Sequence, residues 1–558
     1  MEIMHDNYDH TSSQPILEET PDFIRNGKRI ISFLLALYLV AILFVFPIYY
    51  RNFYFDILGA KYQFYYISTL TLIGGVVLTG IFMLIIDLVQ YEGKFTTGFL
   101  QKFSTKNIRT TLSVPDVSLI CFLAIAVLST VFSDYIYESF WGNEGRYTGL
   151  FLLLLYGGSF FIVSKFLHFR SWYLDVFLVS SVLVCAFGIT DYFNLDILHF
   201  KENIDPKQYN IFMSFMGNIN TYTAYLSLVL GVSSVLFAAE KKNGKCVWYY
   251  ICLVMGFFAI ITGQSDNAYL ALLALFASLP FYMFRSWGGI KRYLIILASF
   301  FSVVQVVDII NQTMSDQVLE IQGIFNFIVN FQGLAYIVIG LWIAVAAFYA
   351  RKYIIKRQET PVGKMPCRIW GIVFLTGIVI VLWILFDANI AGNGERYGAL
   401  SNYVVIDDEW GTHRGYIWKL AMRNYKEFST VHKIFGSGPD TFGIITVKNN
   451  YNEMTSRYHE IFDSAHNEYL QYFVTIGPFG LLAYLTLLIS SGVRMIRRAA
   501  DKPYVIAALF AVLCYGAQAI VNINLPIATP VMWTILMIGL AGCRNQNRFR
   551  ENTEKLGK

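Results

Sequence analysis

The sequence predicts an all-α polytopic membrane protein with about 12–14 transmembrane helices and one long extracytoplasmic loop. Three observations carry this. Hydrophobic residues make up 56% of the 558-residue chain and charged residues only 15%, where a soluble domain carries roughly a quarter charged. Apolar runs of about 20 residues recur along nearly the whole length. A single long polar interval, 387–468, interrupts them.

Taken in order, Met1–Lys28 is acidic and polar and lacks the apolar core and cleavage site of a signal peptide, so residues 1–29 read as a cytoplasmic tail. Spans follow at 30–50, 65–89, 115–133, 147–166, 172–192, 221–239, 247–263, 268–284, 291–310, 333–350 and 369–386, forming a helical block over 30–386. After the polar interval come spans at 469–491, 503–521 and 528–542, a second block over 469–542, and then a cytoplasmic C-terminal tail, 543–558. The first block holds eleven spans and the second three, and this even total puts both termini on one side.

Lys and Arg give the orientation. With the N-terminus inside, inner segments and the inner ends of the spans hold 30 of the 43 basic residues, whereas the short outer loops hold five: Arg51, Lys61, Arg146, Lys201 and Lys207. The other eight lie in 387–468, which is exempt because long loops translocate largely regardless of charge. The interval therefore reads as extracytoplasmic. The net charge of +5 belongs to inner loops facing anionic lipid and gives no support to nucleic acid as a partner. All seven cysteines fall in spans or inner segments, which argues against disulfides or a zinc cluster in the outer loop. No repeat of 20–50 residues and no low-complexity tract is present.

The polar interval is aromatic-rich, with turn signals and a helical period, so it reads as an ordered loop that carries the function. Arg414–Phe428 has apolar residues at Ile417, Trp418, Ala421, Met422, Tyr425 and Phe428, the pattern of an amphipathic helix on the membrane surface, with Arg414 at its start. A guanidinium at that level either snorkels to lipid headgroups or grips a phosphate through paired donors. Gly436-Ser-Gly438-Pro-Asp440 is a tight turn whose backbone N–H groups either converge on an anion or merely reverse the chain.

Asp463 and Ser464 are good N-cap residues, which places His466 in the first turn of the helix that re-enters the membrane. The helix dipole disfavours an imidazolium there, and a neutral imidazole accepts a proton as a general base must. The same helix start attracts anions. A lone interfacial histidine is more often structural, and the pattern leaves that reading open. The run Trp141–Leu150 places Arg146 on the outer face, within reach of the same anion. Gly217-Asn218-Ile219-Asn220 precedes the sixth span, where it either caps the helix or touches sugar hydroxyls. Asp407-Asp408-Glu409 lacks the spacing of a nucleotide-sugar metal motif, and phosphate-binding Gly-x-x-x-x-Gly-Lys-Ser/Thr and Gly-x-Gly-x-x-Gly loops are absent at plausible positions.

Five motifs stand in order: Trp-Gly-x-x-x-Arg-x-x-Gly-Leu at 141–150, Gly-Asn-x-Asn at 217–220, Arg-x-x-x-Trp at 414–418, Gly-x-Gly-Pro-Asp-Thr-Phe at 436–442, and Ala-His-Asn-Glu-Tyr-Leu-Gln with a following Gly-x-x-Gly-Leu at 465–481. Together they resemble the O-antigen ligase and O-antigen polymerase family of integral-membrane glycosyltransferases. The resemblance implies an undecaprenyl-diphosphate-linked glycan as donor at the outer face of the cell membrane. The glycan passes to a hydroxyl of a glycan, lipid or protein acceptor in cell-surface polysaccharide synthesis, without a metal, a nucleotide sugar or another cofactor. By motif, His466 activates the acceptor hydroxyl, Arg414 binds diphosphate and Arg146 is a second cation. Gly436, Gly438, Asp440, Asn467, Asn218 and Asn220 are the expected substrate-binding residues.

One position departs from the resemblance. Many members carry Ser-Arg-Gly or Ser-Arg-Ala after the seventh span, and this chain has Ser265-Asp266-Asn267. Either Arg146, Arg396 or Arg423 compensates, or the donor differs. The competing readings are a transporter or flippase of lipid-linked sugars and a non-catalytic membrane scaffold. Asp87, Asp175 and Asp308 fall at predicted span ends, and paired broken helices are missing, both of which count against coupled transport.

Overall fold

The structure is a computed structural model that describes residues 21–104, 107–202, 204–355 and 362–544. Among these, eleven helices are long and apolar enough to cross a membrane and three more are apolar but shorter. They are α1 (Asp22–Ile48), α2 (Ile57–Tyr91), α3 (Val114–Val131), α4 (Leu150–Phe166), α5 (Trp172–Tyr192), α6 (Ile219–Ala239), α7 (Asn243–Thr262), α8 (Asn267–Met283), α9 (Trp287–Thr313), α10 (Leu334–Arg351) and α11 (Met365–Asn389). The polar interval then contributes α12 (Trp410–Glu427), α13 (Thr430–Phe435) and α14 (Phe442–Tyr458), and α15 (Glu468–Thr475) starts at its last residue. The chain returns to apolar helices in α16 (Gly477–Ala499), α17 (Pro503–Val521) and α18 (Thr529–Gly542). Strand is confined, among the described residues, to the two-residue pairing of Phe212–Met213 with Gly217–Asn218. The chain is an all-α multi-pass membrane protein.

Three boundaries differ from the sequence reading. The helix of α1 begins at Asp22, inside the expected N-terminal tail, whose first 20 residues lie outside the described set, as do residues 545–558 of the C-terminal one. The helix of α2 starts at Ile57, so Lys61 is a fully buried helical residue rather than part of an outer loop. Its ammonium donates to the carbonyls of Phe46 (2.8 Å) and Pro47 (3.0 Å), satisfying orphan acceptors at the end of α1. The expected span 469–491 is broken between α15 and α16. At the break Gly477 adopts φ +84°, and a Cβ there would sit 2.2 Å from the Ile434 carbonyl oxygen, so only glycine fits.

The α6 helix runs through the centre and is nearly all buried against α7, α8 and α17. Small residues allow the closest crossing: a Cβ on Gly231 would lie 2.5 Å from the Ala511 Cα. This is how membrane helices gain packing contacts when water supplies no driving force between them. By contrast α11 turns its apolar side chains outward along its length, including Ile372, Leu375, Leu382 and Trp383, as a helix bathed in lipid does.

The polar interval folds on its own core. Tyr416, Ile417, Leu420 and Ala421 of α12 pack with Phe442 and Met454 of α14, and with Phe462, Ala465 and Val474. The apolar stripe read as membrane-facing is therefore largely spent inside the loop, although Met422 stays exposed. The acidic run serves this packing: Asp408 pairs with Lys419 (2.6 Å) and Arg457 (2.7 Å), bridging α12 and α14.

Candidate functional site

Arg414 owes its position to an unusual entry into α12. Gly411, Thr412 and His413 all have left-handed backbone angles (φ 62°, 59° and 65°), and the regular helix begins at Arg414. Such a run is strained for a β-branched threonine and persists only where surrounding packing enforces it. Gly415 is pressed against the Asp407 carbonyl, which a Cβ would meet at 1.7 Å. Arg414 is 7% exposed, donates to the Gly411 carbonyl at 2.5 Å, and keeps its Nε–H buried without a partner. A buried donor of this kind is costly unless a ligand takes it.

One turn later Trp418 donates its indole N–H to the Ala465 carbonyl at 3.0 Å. The Ala465 amide in turn donates to the Gln471 side chain of α15 at 2.9 Å. The residue immediately before His466 is thus clamped from both sides, which explains the Arg-x-x-x-Trp and Ala-His-Asn-Glu-Tyr-Leu-Gln spacings in one stroke. The signal for Trp418 and Gln471 was present in the motifs, but a motif does not say which hydrogen bond a side chain makes.

His466 does not lie in a helix. It has a left-handed φ of 46°, and the cap of α15 is Asn467, whose side chain accepts from the amides of Tyr469 and Leu470 at 3.0 Å each. Ser464 caps only the His466 amide, at 3.2 Å. The expected first-turn placement is thereby corrected. The imidazole is pushed down to about 4 by burial first, then by Arg414 and Arg146, with Asp463 opposing. It is neutral at pH 7 chiefly because it is buried, with the two arginines reinforcing that effect. Arg146 reaches the same turn through Asp463, and α12, which starts its regular helix at Arg414, reaches it through Trp418.

Arg146 spans both carboxylate oxygens of Asp463, with Nε to Oδ2 at 3.0 Å. Asp266 lies on the Arg414 side: burial pushes its carboxyl up, and the Arg414 guanidinium pulls it back down. Of the other arginines offered as compensation, Arg423 is paired with Glu453 (2.5 Å) and Arg396 sits 3.9 Å from Asp387.

The Gly436–Asp440 turn is a seam rather than an anion nest. The amides of Gly436, Ser437 and Gly438 are donated to the carbonyls of His432, Val474 and Thr475, at 2.8, 3.1 and 2.9 Å. Gly438, at φ +115°, lies against the Ser133 and Ser139 hydroxyls, where a Cβ would clash at 2.5 Å. Asp440 accepts from the amides of Asn143 (2.7 Å) and Thr148 (3.1 Å), and its carboxyl is pushed up to about 6 by burial. It latches the loop that carries Arg146. Asn218 and Asn220 are likewise committed. Asn218 caps α6 by accepting from the Asn220 amide at 2.8 Å, and Asn220 accepts from the Ser265 hydroxyl at 2.5 Å. The Asn220 carbonyl also takes the amides of Asn267 and Asn522, both at 3.0 Å.

A narrow cleft of mixed polar and apolar lining opens beside the histidine turn, with Arg146, Asp440, Asn467 and Gln471 beside Ile476 and Ile523. Arg146, Asp440 and Asn467 line this cleft, and His466, next to Asn467, feels the charges of both Arg146 and Arg414.

No curated protein matches the chain. Residues 321–485, which hold α10 to α15, Arg414 and His466, match the model of the O-antigen ligase family.

Proposed function

We propose that the protein transfers a glycan from an undecaprenyl-diphosphate carrier to an acceptor hydroxyl at the outer membrane surface, in the synthesis of a cell-surface polysaccharide. The observation that carries this reading is the clamp on Ala465, which fixes a neutral imidazole near a buried guanidinium with an unpartnered donor. In the step, the acceptor O–H gives its proton to His466 while its oxygen attacks the anomeric carbon of the donor sugar. The bond from that carbon to the diphosphate oxygen breaks, and the electron pair leaves on the diphosphate. Arg414 stabilises the charge that develops there. Attack opposite the leaving group inverts the anomeric centre. Arg146, held by Asp463, reaches the diphosphate by exchanging that partner. The acceptor is a glycan, a lipid or a protein.

The test is a surface-glycan gel of a deletion strain complemented with wild type or His466→Ala at equal protein levels. A general base contributes about 10²–10⁴-fold, so the ladder returns with wild type alone. Collapse to one repeat on its carrier assigns a polymerase, and long chains retained on undecaprenyl diphosphate assign a ligase. Full restoration by His466→Ala removes the catalytic reading and brings a transporter or scaffold forward.

A further inference from the structure

Two residues after His466, Glu468 opens α15 with its side chain turned into the protein, 1% exposed. Its Oε1 accepts from the Tyr484 hydroxyl at 2.6 Å and its Oε2 from the Tyr515 hydroxyl at 3.3 Å. The Tyr515 hydroxyl also meets the Thr529 hydroxyl at 2.7 Å. One carboxyl group thus joins α15 to α16 and α17, and through Tyr515 to α18. The neighbouring Tyr469 adds a bond to the Gly516 carbonyl at 2.6 Å. Among the described residues no cation is paired with Glu468, which is unusual for a buried carboxyl group.

We propose that Glu468 is the positioning residue for His466: it bolts the histidine turn to the C-terminal helices by hydrogen bonds, acting through its reach rather than its charge. The inference rests on His466 being the base. Asn467 caps α15, and Gln471, one turn further along, holds the Ala465 amide, so a displacement of the start of α15 displaces His466. The C-terminal contacts lie on Tyr515 and Thr529, beyond the 321–485 stretch that matches the family model, so α17 and α18 help to hold the site. The groups facing the carboxyl are Tyr156, Tyr469, Tyr472, Tyr484 and Tyr515. None of them supplies a positive charge. Burial accordingly pushes Glu468 up to about 7, against the pull of the Tyr484 and Tyr515 hydroxyls.

The experiment compares Glu468→Gln, Glu468→Asp and Glu468→Ala in the purified full-length protein. Initial rates are measured with a lipid-diphosphate oligosaccharide donor, and melting is followed in detergent. Gln keeps the reach and loses the charge; Asp keeps the charge and falls one methylene short. Displacing a reacting group by about 1 Å costs up to 100-fold. Glu468→Gln therefore stays within about threefold of wild-type kcat, whereas Asp and Ala lose about tenfold or more, with donor KM little changed because Arg414 is untouched.

A folding defect is separated by melting. Glu468 ionises more readily unfolded than folded, so its contribution is complete in acid and lost as pH rises through about 7. The melting point of Glu468→Gln relative to wild type then climbs between pH 5 and 8. Tyr515→Phe, which removes one hydroxyl, lowers kcat in the same manner. The proposal is overturned if Gln is as impaired as Ala, if Asp matches Gln, or if Tyr515→Phe leaves kcat unchanged. His466→Ala assayed alongside keeps the two failures apart. Activity in that variant sinks the base assignment, whereas an inactive His466→Ala with no Gln-over-Asp preference sinks only the role of Glu468.

Discussion

His466 is an imidazole kept deprotonated by burial first and by the charges of Arg414 and Arg146 after it. Binding of a diphosphate to Arg414 and Arg146 brings two negative charges beside it and cancels their effect, so its proton affinity rises once donor is present. The pH profile of kcat/KM for donor, which reports the free enzyme, should stay flat down to about pH 4 on its acid side. That of kcat, which reports the complex, should fall at a higher pH. Coincident acid limbs would show that the donor does not sit against the arginines. Arg414→Lys replaces a forked planar cation by a point charge, and by analogy with loss of one oxyanion donor should lower kcat about 100-fold or more. An unchanged rate in the same assay would remove the diphosphate role. Both residues were legible in the sequence as residue types in the right order. The cause of histidine neutrality was not, because it comes from groups distant in the chain.

At the level of elements, the histidine turn is made by the meeting of α12 and α15. Trp418→Phe preserves the ring packing but leaves the Ala465 carbonyl without its donor, at a cost of about 1–3 kcal/mol for a buried group. The expected outcome is a folded protein with a lower melting point and reduced kcat, checked by thermal melting and by initial rates. A variant with wild-type kcat would show that this clamp is dispensable. The helical period of Arg414–Phe428 announced α12 correctly, yet it could not say what covers the apolar face. Membrane and protein core demand the same stripe, and only the presence of Phe442, Met454 and Phe462 decides between them. The Gly-x-Gly turn illustrates the same limit: glycine permits a convergent nest and a tight seam alike, and the carbonyls of Val474 and Thr475 select the seam.

For the whole molecule, topology is the claim with the widest consequence. We propose, from the asymmetry of Lys and Arg, that both termini lie inside and the loop between α11 and α15 outside. A cysteine placed at Ser456, an exposed position on α14, in a background lacking the seven natural cysteines, should react with a membrane-impermeant maleimide on intact cells. Protection until the membrane is opened would invert the orientation and move the proposed chemistry to the cytoplasm. The count of apolar segments in the sequence matches the fourteen apolar helices among the described residues, because a span announces itself by local composition alone. The split of the span after the loop escaped, since Gly477 and Pro478 are tolerated within a membrane helix and break it only because the Ile434 carbonyl approaches so closely.

The sequence by itself determined the class of the protein and the order of its apolar helices, and it singled out Arg414 and His466 as the residues to test. Each of these depends on residue composition or on spacing within a short stretch of chain, where helix period and hydropathy act locally. Only the tertiary structure decided that Asp463 holds Arg146, that Asp266 faces Arg414, and that Trp418 and Gln471 clamp Ala465. It likewise decided that Glu468 is buried among tyrosines from helices lying after it in the chain. Hydrogen bonds and charges act over a few ångströms of space, and the fold, not the distance along the chain, sets which groups come that close.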